Sequence, residues 1–108
     1  MIFIVVKFTV KPEHTDSWLE QVGPFTEATR GEDGNLWFEW SRSVDDPNTF
    51  ILVEAFKDGA AEAHVTAPHF AAALATMRPL LANTPQIVST TIDGASGWSQ
   101  MGELELTD

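Results

Sequence analysis

The sequence predicts a single α+β domain built on one antiparallel sheet with its helices on one side. Two observations carry that expectation. Strand-like segments and helical stripes, separated by Pro and Gly breakers, follow the order β-α-β-β-α-β plus a tail. The chain has 108 residues, 44% of them apolar, which is one domain's worth with enough material for a core.

The first strand is expected over residues 2–10. Ile2, Ile4, Val6, Phe8 and Val10 share one face at period two, and Phe3 and Val5 lie on the other. With both faces apolar, the strand should be central and covered on two sides. Lys11-Pro12 ends it, and Pro12 suits the first turn of a helix running to about Arg30. Trp18, Val22 and Phe25 form its buried stripe, and Gly23-Pro24 predicts a kink or break. Gly31-Glu32-Asp33-Gly34 is a polar turn. Asn35 to Arg42 is the second strand, with Leu36, Phe38 and Trp40 on one face and Trp37 and Glu39 on the other.

Residues 43–48 are rich in turn formers and should connect a hairpin to a third strand over Phe50 to Phe56. Lys57-Asp58-Gly59 breaks the chain again. A short Ala-rich helix over residues 60–65 precedes Pro68, which opens a second helix over His69 to Asn83. Phe70, Leu74, Met77 and Leu81 are its expected stripe. Gln86 to Ile92 is the fourth strand. Residues 1–94 therefore read as the domain, and residues 95–108 as a C-terminal extension that packs on the domain or on a partner through Trp98, Met101, Leu104 and Leu106.

This order is the ferredoxin-like, split-βαβ pattern. Helices on one face leave the other bare, yet the strands are apolar on both sides. A second copy of the chain is the simplest cover, giving a homodimer, a dimeric α+β barrel joined sheet to sheet.

Composition excludes several functions. Sixteen Asp and Glu against six Lys and Arg give a formal charge of -10, so binding to nucleic acid or to an anionic membrane surface is not expected. There is no cysteine, hence no disulfide, thiolate metal site or Cys nucleophile. No apolar run reaches the ~20 residues of a membrane span, and the first residues lack a signal-peptide pattern, so a cytoplasmic location is expected. No G-x-G-x-x-G, P-loop or Gly-x-Ser-x-Gly occurs, and no bound cofactor is expected.

The candidate chemistry is sparse. His14 reads as a surface residue at a helix start. His64 and His69 flank Pro68 at i, i+5, which is not the i, i+4 pair of a helical metal site, so no metal centre is expected. Each could equally be a half-buried histidine bonded to backbone near the helix break. Glu54 shares its strand face with Phe50, Leu52 and Phe56. A carboxylate there has a raised pKa or a fixed partner, and Arg42 and Lys57 are the structural alternatives. Trp37, Phe38, Trp40, Phe50 and Phe56 place five aromatics on one hairpin, as plain core or as the wall of a pocket for a flat aromatic ligand.

Several blocks together resemble a known family. They are Gly34-Asn35-Leu36-Trp37-Phe38-Glu39-Trp40, the turn Ser43-Val44-Asp45-Asp46-Pro47, Leu52-Val53-Glu54-Ala55-Phe56-Lys57-Asp58, Ala61-x-x-His64 and Pro68-His69-Phe70. In this order they are similar to the antibiotic biosynthesis monooxygenase (ABM) domain, and within it to the small quinol-monooxygenase-like members. The resemblance implies a dimeric α+β barrel with a pocket between sheet and helices. It also implies oxidation of a quinol or phenol by O2 without metal or flavin, the protein binding and deprotonating the substrate and excluding water. By the same resemblance the family's strand Asn falls on Asn35, an aromatic of that strand on Trp37 or Trp40, the acidic strand residue on Glu54 and the helix His on His64. His64 is then expected to be the acid–base residue with Glu54 coupled to it, Asn35 and Trp37 or Trp40 to contact the substrate, and Phe56 and His69 to be further substrate contacts. The haem-degrading branch has an Asn, a Trp and a His where this chain has about Lys7, His64 and Leu74, which argues against haem degradation. The lack of Tyr removes a phenol proposed to bond substrate in some antibiotic-tailoring members. Two other readings remain open: an isomerase or cyclase using His64 and Glu54 as acid and base, and a non-catalytic small-molecule binding or stress-response protein.

Overall fold

The computed structural model describes residues 1–106; the last two positions of the 95–108 extension lie outside the described residues. Strands β1 (Ile2–Thr9), β2 (Asn35–Arg42), β3 (Thr49–Phe56) and β4 (Gln86–Thr91) form one antiparallel sheet in the order β2-β3-β1-β4. Helices α1 (Trp18–Gln21), α2 (Gly23–Arg30), α3 (Ala61–Thr66) and α4 (Pro68–Met77) complete the expected ferredoxin-like α+β pattern. The sheet is open, with β2 and β4 at its edges. No helix among the described residues is long and apolar enough to cross a membrane.

Period two works as expected along β1 and β3. Val6, Phe8, Phe50, Leu52 and Phe56 are buried under the helices. Trp18 fills the centre of the core at 0% exposure, against Phe8, Phe50 and the edge of Trp40. Phe38 and Phe25 meet edge to face beside it.

The differences from the sequence reading have local causes. Residues Pro12–Ser17 are a 3-10 helix rather than the start of an α-helix. The Thr15 hydroxyl reaches Asn48 Oδ1 at 2.9 Å, tying this segment to the β2–β3 connection. The break at Gly23-Pro24 is present and separates α1 from α2. Helix α4 stops at Met77 rather than running to Asn83, because Pro79 has no N–H to continue the ladder, and a 3-10 turn, Arg78–Leu80, follows. Its buried residues are Ala73 and Met77; Leu74 is 41% exposed and Leu81 lies beyond the helix, bridged to Val10. The β2–β3 register slips between Asn35 and Trp37, a bulge that leaves Leu36 without a partner in β3. Strand β4 is exposed throughout.

On the sheet face away from the helices, Phe3, Val5, Ile51 and Val53 are only partly covered and Val88 is exposed. Trp98 of the extension lies over Trp37 on this face, ring centroids 5.1 Å apart, while Met101, Leu104 and Leu106 are exposed.

Candidate active site

Four charged or titratable side chains meet where β3 hands over to α3. The β2–β3 pairing sets this up. Asn35 opposes Phe56, so the Gly31–Gly34 turn that leads into β2 lies beside the chain leaving β3. The Lys57 N–H donates to the Gly34 carbonyl at 2.8 Å, and Gly34 lies so close to Ala60 that a side chain would collide with its Cβ. The turn is pinned further by Glu32 N–H to the Thr29 carbonyl and Asn35 N–H to the Glu32 carbonyl. Glu32 is thereby aimed at α3.

The Ala67-Pro68 junction supplies the rest. Ala67 is extended (φ -69, ψ 145), as a residue before proline must be, and Pro68 starts α4 at its first position. That sharp break brings His64 on α3 and His69 on α4 to the same carboxylate oxygen. His64 Nδ1 lies 2.8 Å and His69 Nε2 2.5 Å from Glu32 Oε2. On the far side of the ring, His64 Nε2 is 3.8 Å from Glu54 Oε1. The chain of contacts is therefore Glu54–His64–Glu32–His69.

His64 is 4% exposed, caged by Phe25, Phe38, Phe56 and Phe70. Glu54 is 5% exposed. Burial pushes its carboxyl up to about 7, and the negative charge of Glu32 adds to the rise. Arg42, offered from sequence as a structural partner of Glu54, instead donates to the Pro47 carbonyl and lies over Phe50. The His69 side chain is 27% exposed and, with Phe25, lines a groove of about 110 Å³ between α2 and α4 that reaches Val22 and Ala73. A larger groove, about 480 Å³ between Phe8, Met77 and Pro85, has Arg78 as its only charged residue; the acid–base chemistry belongs with the smaller one.

The remaining sequence candidates are dispersed. Phe56 is fully buried, its ring 4.8 Å from His64. The Asn35 amide donates to the carbonyls of Trp37 and Ala55, spanning the bulge. Trp37 pairs with Ala55 and faces the other side of the sheet from Glu54, against Trp98. Trp40 faces the helices but is one ring removed, beside Phe38, and its Nε1–H donates to Thr26 Oγ1 at 2.9 Å.

In the sequence Glu32 is marked only as part of a polar turn. The topology held the signal: antiparallel neighbours put the entry to β2 beside the exit of β3, hence beside His64. With His64 and His69 it also makes a three-residue group whose ligand atoms lie within 4.8 Å of one another, close enough to hold a metal ion.

Residues 1–76 match the family model described as antibiotic biosynthesis monooxygenase. The chain belongs to the antibiotic biosynthesis monooxygenase family. A relative named "Putative monooxygenase YcnE", from Bacillus subtilis (strain 168), is 31% identical over 91 residues, covering 83% of this chain and 96% of the relative. Among solved structures, a "Putative antibiotic biosynthesis monooxygenase from Nitrosomonas europaea" superposes with a TM-score of 0.78 at 28% identity, over 86% of this chain and 99% of that one. An ABM structure from Deinococcus radiodurans gives 0.79 at 22% identity over 93% and 100%, a likeness of fold. The monooxygenase family assignment and the ferredoxin-like architecture expected from sequence thus both stand for this ABM chain.

Proposed function

We propose that this ABM chain is a cytoplasmic monooxygenase that oxidises a quinol or phenolic aromatic with O2 and without a bound cofactor. The observation that carries the reading is His64 held between a buried carboxyl group, Glu54, and a half-buried one, Glu32, with His69 continuing the same chain of contacts to a groove. A phenol loses its proton slowly at neutral pH, and an aromatic anion is far more reducing than its acid. A base that titrates near 7 is therefore the group the reaction needs. His64 is the acid–base centre of the network, and Glu54 stands as its second acidic neighbour, 3.8 Å from Nε2 on the opposite side of the ring from Glu32. Glu32 and His69 carry the proton between His64 and the groove, where the substrate ring lies against Phe25. In the reaction one oxygen atom enters a ring carbon and the other leaves as water. For a hydroquinone the products are the hydroxyquinone and water, and the substrate supplies all four electrons.

The working unit is a homodimer. Support comes from the half-covered apolar face formed by Phe3, Val5, Ile51 and Val53 with Trp37 and Val88, which a second sheet would cover. A stable monomer at micromolar concentration in sedimentation would rule that out.

Oxygen uptake with a panel of hydroquinones tests the activity. His64→Ala should lose at least ~100-fold in rate, as for a removed general base, with its circular dichroism unchanged. A wild-type rate in that variant overturns the mechanism. Proton transfer without oxygen uptake favours the isomerase or cyclase reading, which the same acid–base pair supports. Binding without turnover makes the chain a small-molecule carrier.

A further inference from the structure

We propose that Glu32, His64 and His69 form a site for one divalent transition-metal ion, Zn2+ by preference, that competes with protons for the acid–base network. The three ligand atoms, Glu32 Oε2, His64 Nδ1 and His69 Nε2, come from a turn and two helices yet lie within 4.8 Å of one another. Imidazole and carboxylate ligands stand about 2.0–2.2 Å from zinc, so neighbouring ligand atoms round a tetrahedral ion are roughly 3.3–3.6 Å apart. The cluster needs shifts of the ligand atoms of about 1 Å to reach that spacing.

Two features beyond proximity point to a cation. The first is charge. Glu32 and Glu54 lie on either side of His64, and among the described residues no Lys or Arg pairs with either of them; every ion-pair partner they have is a histidine. Positive charge at this point comes from protons on the imidazoles or from a metal. The second is the environment of His64. Its Nδ1 faces the cluster while its Nε2 lies 3.8 Å from Glu54 Oε1, within ion-pair range, so an outer acidic group stands behind the ligating ring. The ring is already held by Phe56 and Phe70, so little ordering remains to be done on binding. His69, at the groove, leaves a path for the ion and positions for water.

Metal and substrate chemistry use the same lone pairs. A metal-loaded chain has no free His64 Nδ1, so zinc acts as an inhibitor of the proposed oxygenase and its removal restores the base. The site is independent of that activity, because the metal binds whether or not the chain oxidises a quinol.

The test is calorimetric titration of the chelator-stripped full chain with Zn2+, and visible spectroscopy with Co2+. The expected result is one ion per chain, tighter as pH rises because protons leave the imidazoles, with Co2+ bands of a low-coordinate nitrogen and oxygen site. Glu32→Gln and His69→Ala should each weaken binding at least ~10-fold, and Glu54→Gln about 10–100-fold. His14→Ala should leave it unchanged. His69→Gln, at a partly exposed position, guards against loss of fold, which circular dichroism also checks. The proposal is overturned if no Zn2+ binds, if binding survives in the Glu32→Gln/His69→Ala double variant, or if His14→Ala removes it. Oxygen uptake by the metal-free chain is measured separately and bears only on the enzymatic reading.

Discussion

Replacing Glu54 by Gln isolates the cost of keeping a carboxyl group inside this core. In the unfolded chain the group titrates near its ordinary value of 4.5, and in the folded chain its pKa is raised to about 7. Below the lower value both states are protonated and the folded state pays no charge penalty. Between the two values the unfolded chain releases the proton that the folded chain keeps, so stability falls as pH rises, and it levels off above the upper value. The interval of about 2.5 units corresponds to roughly 3 kcal/mol at about 1.4 kcal/mol per unit. Gln has nearly the same shape and no charge to lose. Its stability relative to wild type should therefore improve by up to about 3 kcal/mol between about pH 4.5 and about pH 8, whatever constant offset the new amide brings. Urea unfolding of both proteins in chelator, at several pH values across that range, measures the difference, and titrating groups remote from Glu54 cancel in the comparison. A difference that stays flat with pH would show that Glu54 ionises normally and that burial does not hold its proton.

Three further outcomes follow from particular contacts. Gly34→Ala drives a methyl into Ala60 and should lower stability by about 1–3 kcal/mol in thermal melts, because backbone near α3 must shift; an unchanged melt would mean the turn is looser than described. Thr26→Val keeps shape but removes the acceptor of Trp40 Nε1–H, at a cost of about 1–3 kcal/mol, whereas Thr26→Ser retains the bond; equal losses in the two variants would assign the effect to packing. Deleting residues 96–108 removes Trp98 from Trp37 and should lower the melting temperature by the equivalent of about 0.5–1.5 kcal/mol, with no change if the extension is passive.

The strands and the break at Gly23-Pro24 were legible because they depend on local pattern: period two in Ile2–Val10, turn formers in residues 43–48, and a proline with no N–H. Periodicity does not mark the end of α4, because Leu81 continues the helical spacing of Phe70, Leu74 and Met77 past Pro79, where the helix has already stopped. The bulge at Leu36 has no sequence mark, since it arises from how β2 meets β3. At the site, His64 and Glu54 stood out as polar residues in apolar settings. Glu32 did not, because acidic residues in Gly-flanked turns are ordinarily solvated. Only the sheet topology turns Gly31–Gly34 toward α3. Trp37 and Trp40 could be placed on opposite faces by alternation, but which face carried His64 was a property of the helix layer.

The central position of β1 has a consequence for synthesis on the ribosome. Ile2 pairs with Phe56 on one side and with Thr91 on the other. Half of the partners of the first strand therefore emerge last, and until Gln86 to Thr91 have been made one edge of β1 has open backbone donors and acceptors. Contacts of such long sequence separation form slowly, since the loop between them must close first. A nascent chain of this family member passes through a stage in which β1, β2 and β3 can already pair while an apolar strand edge is still bare. That stage, rather than the finished domain, is where the chain is most prone to associate with its neighbours.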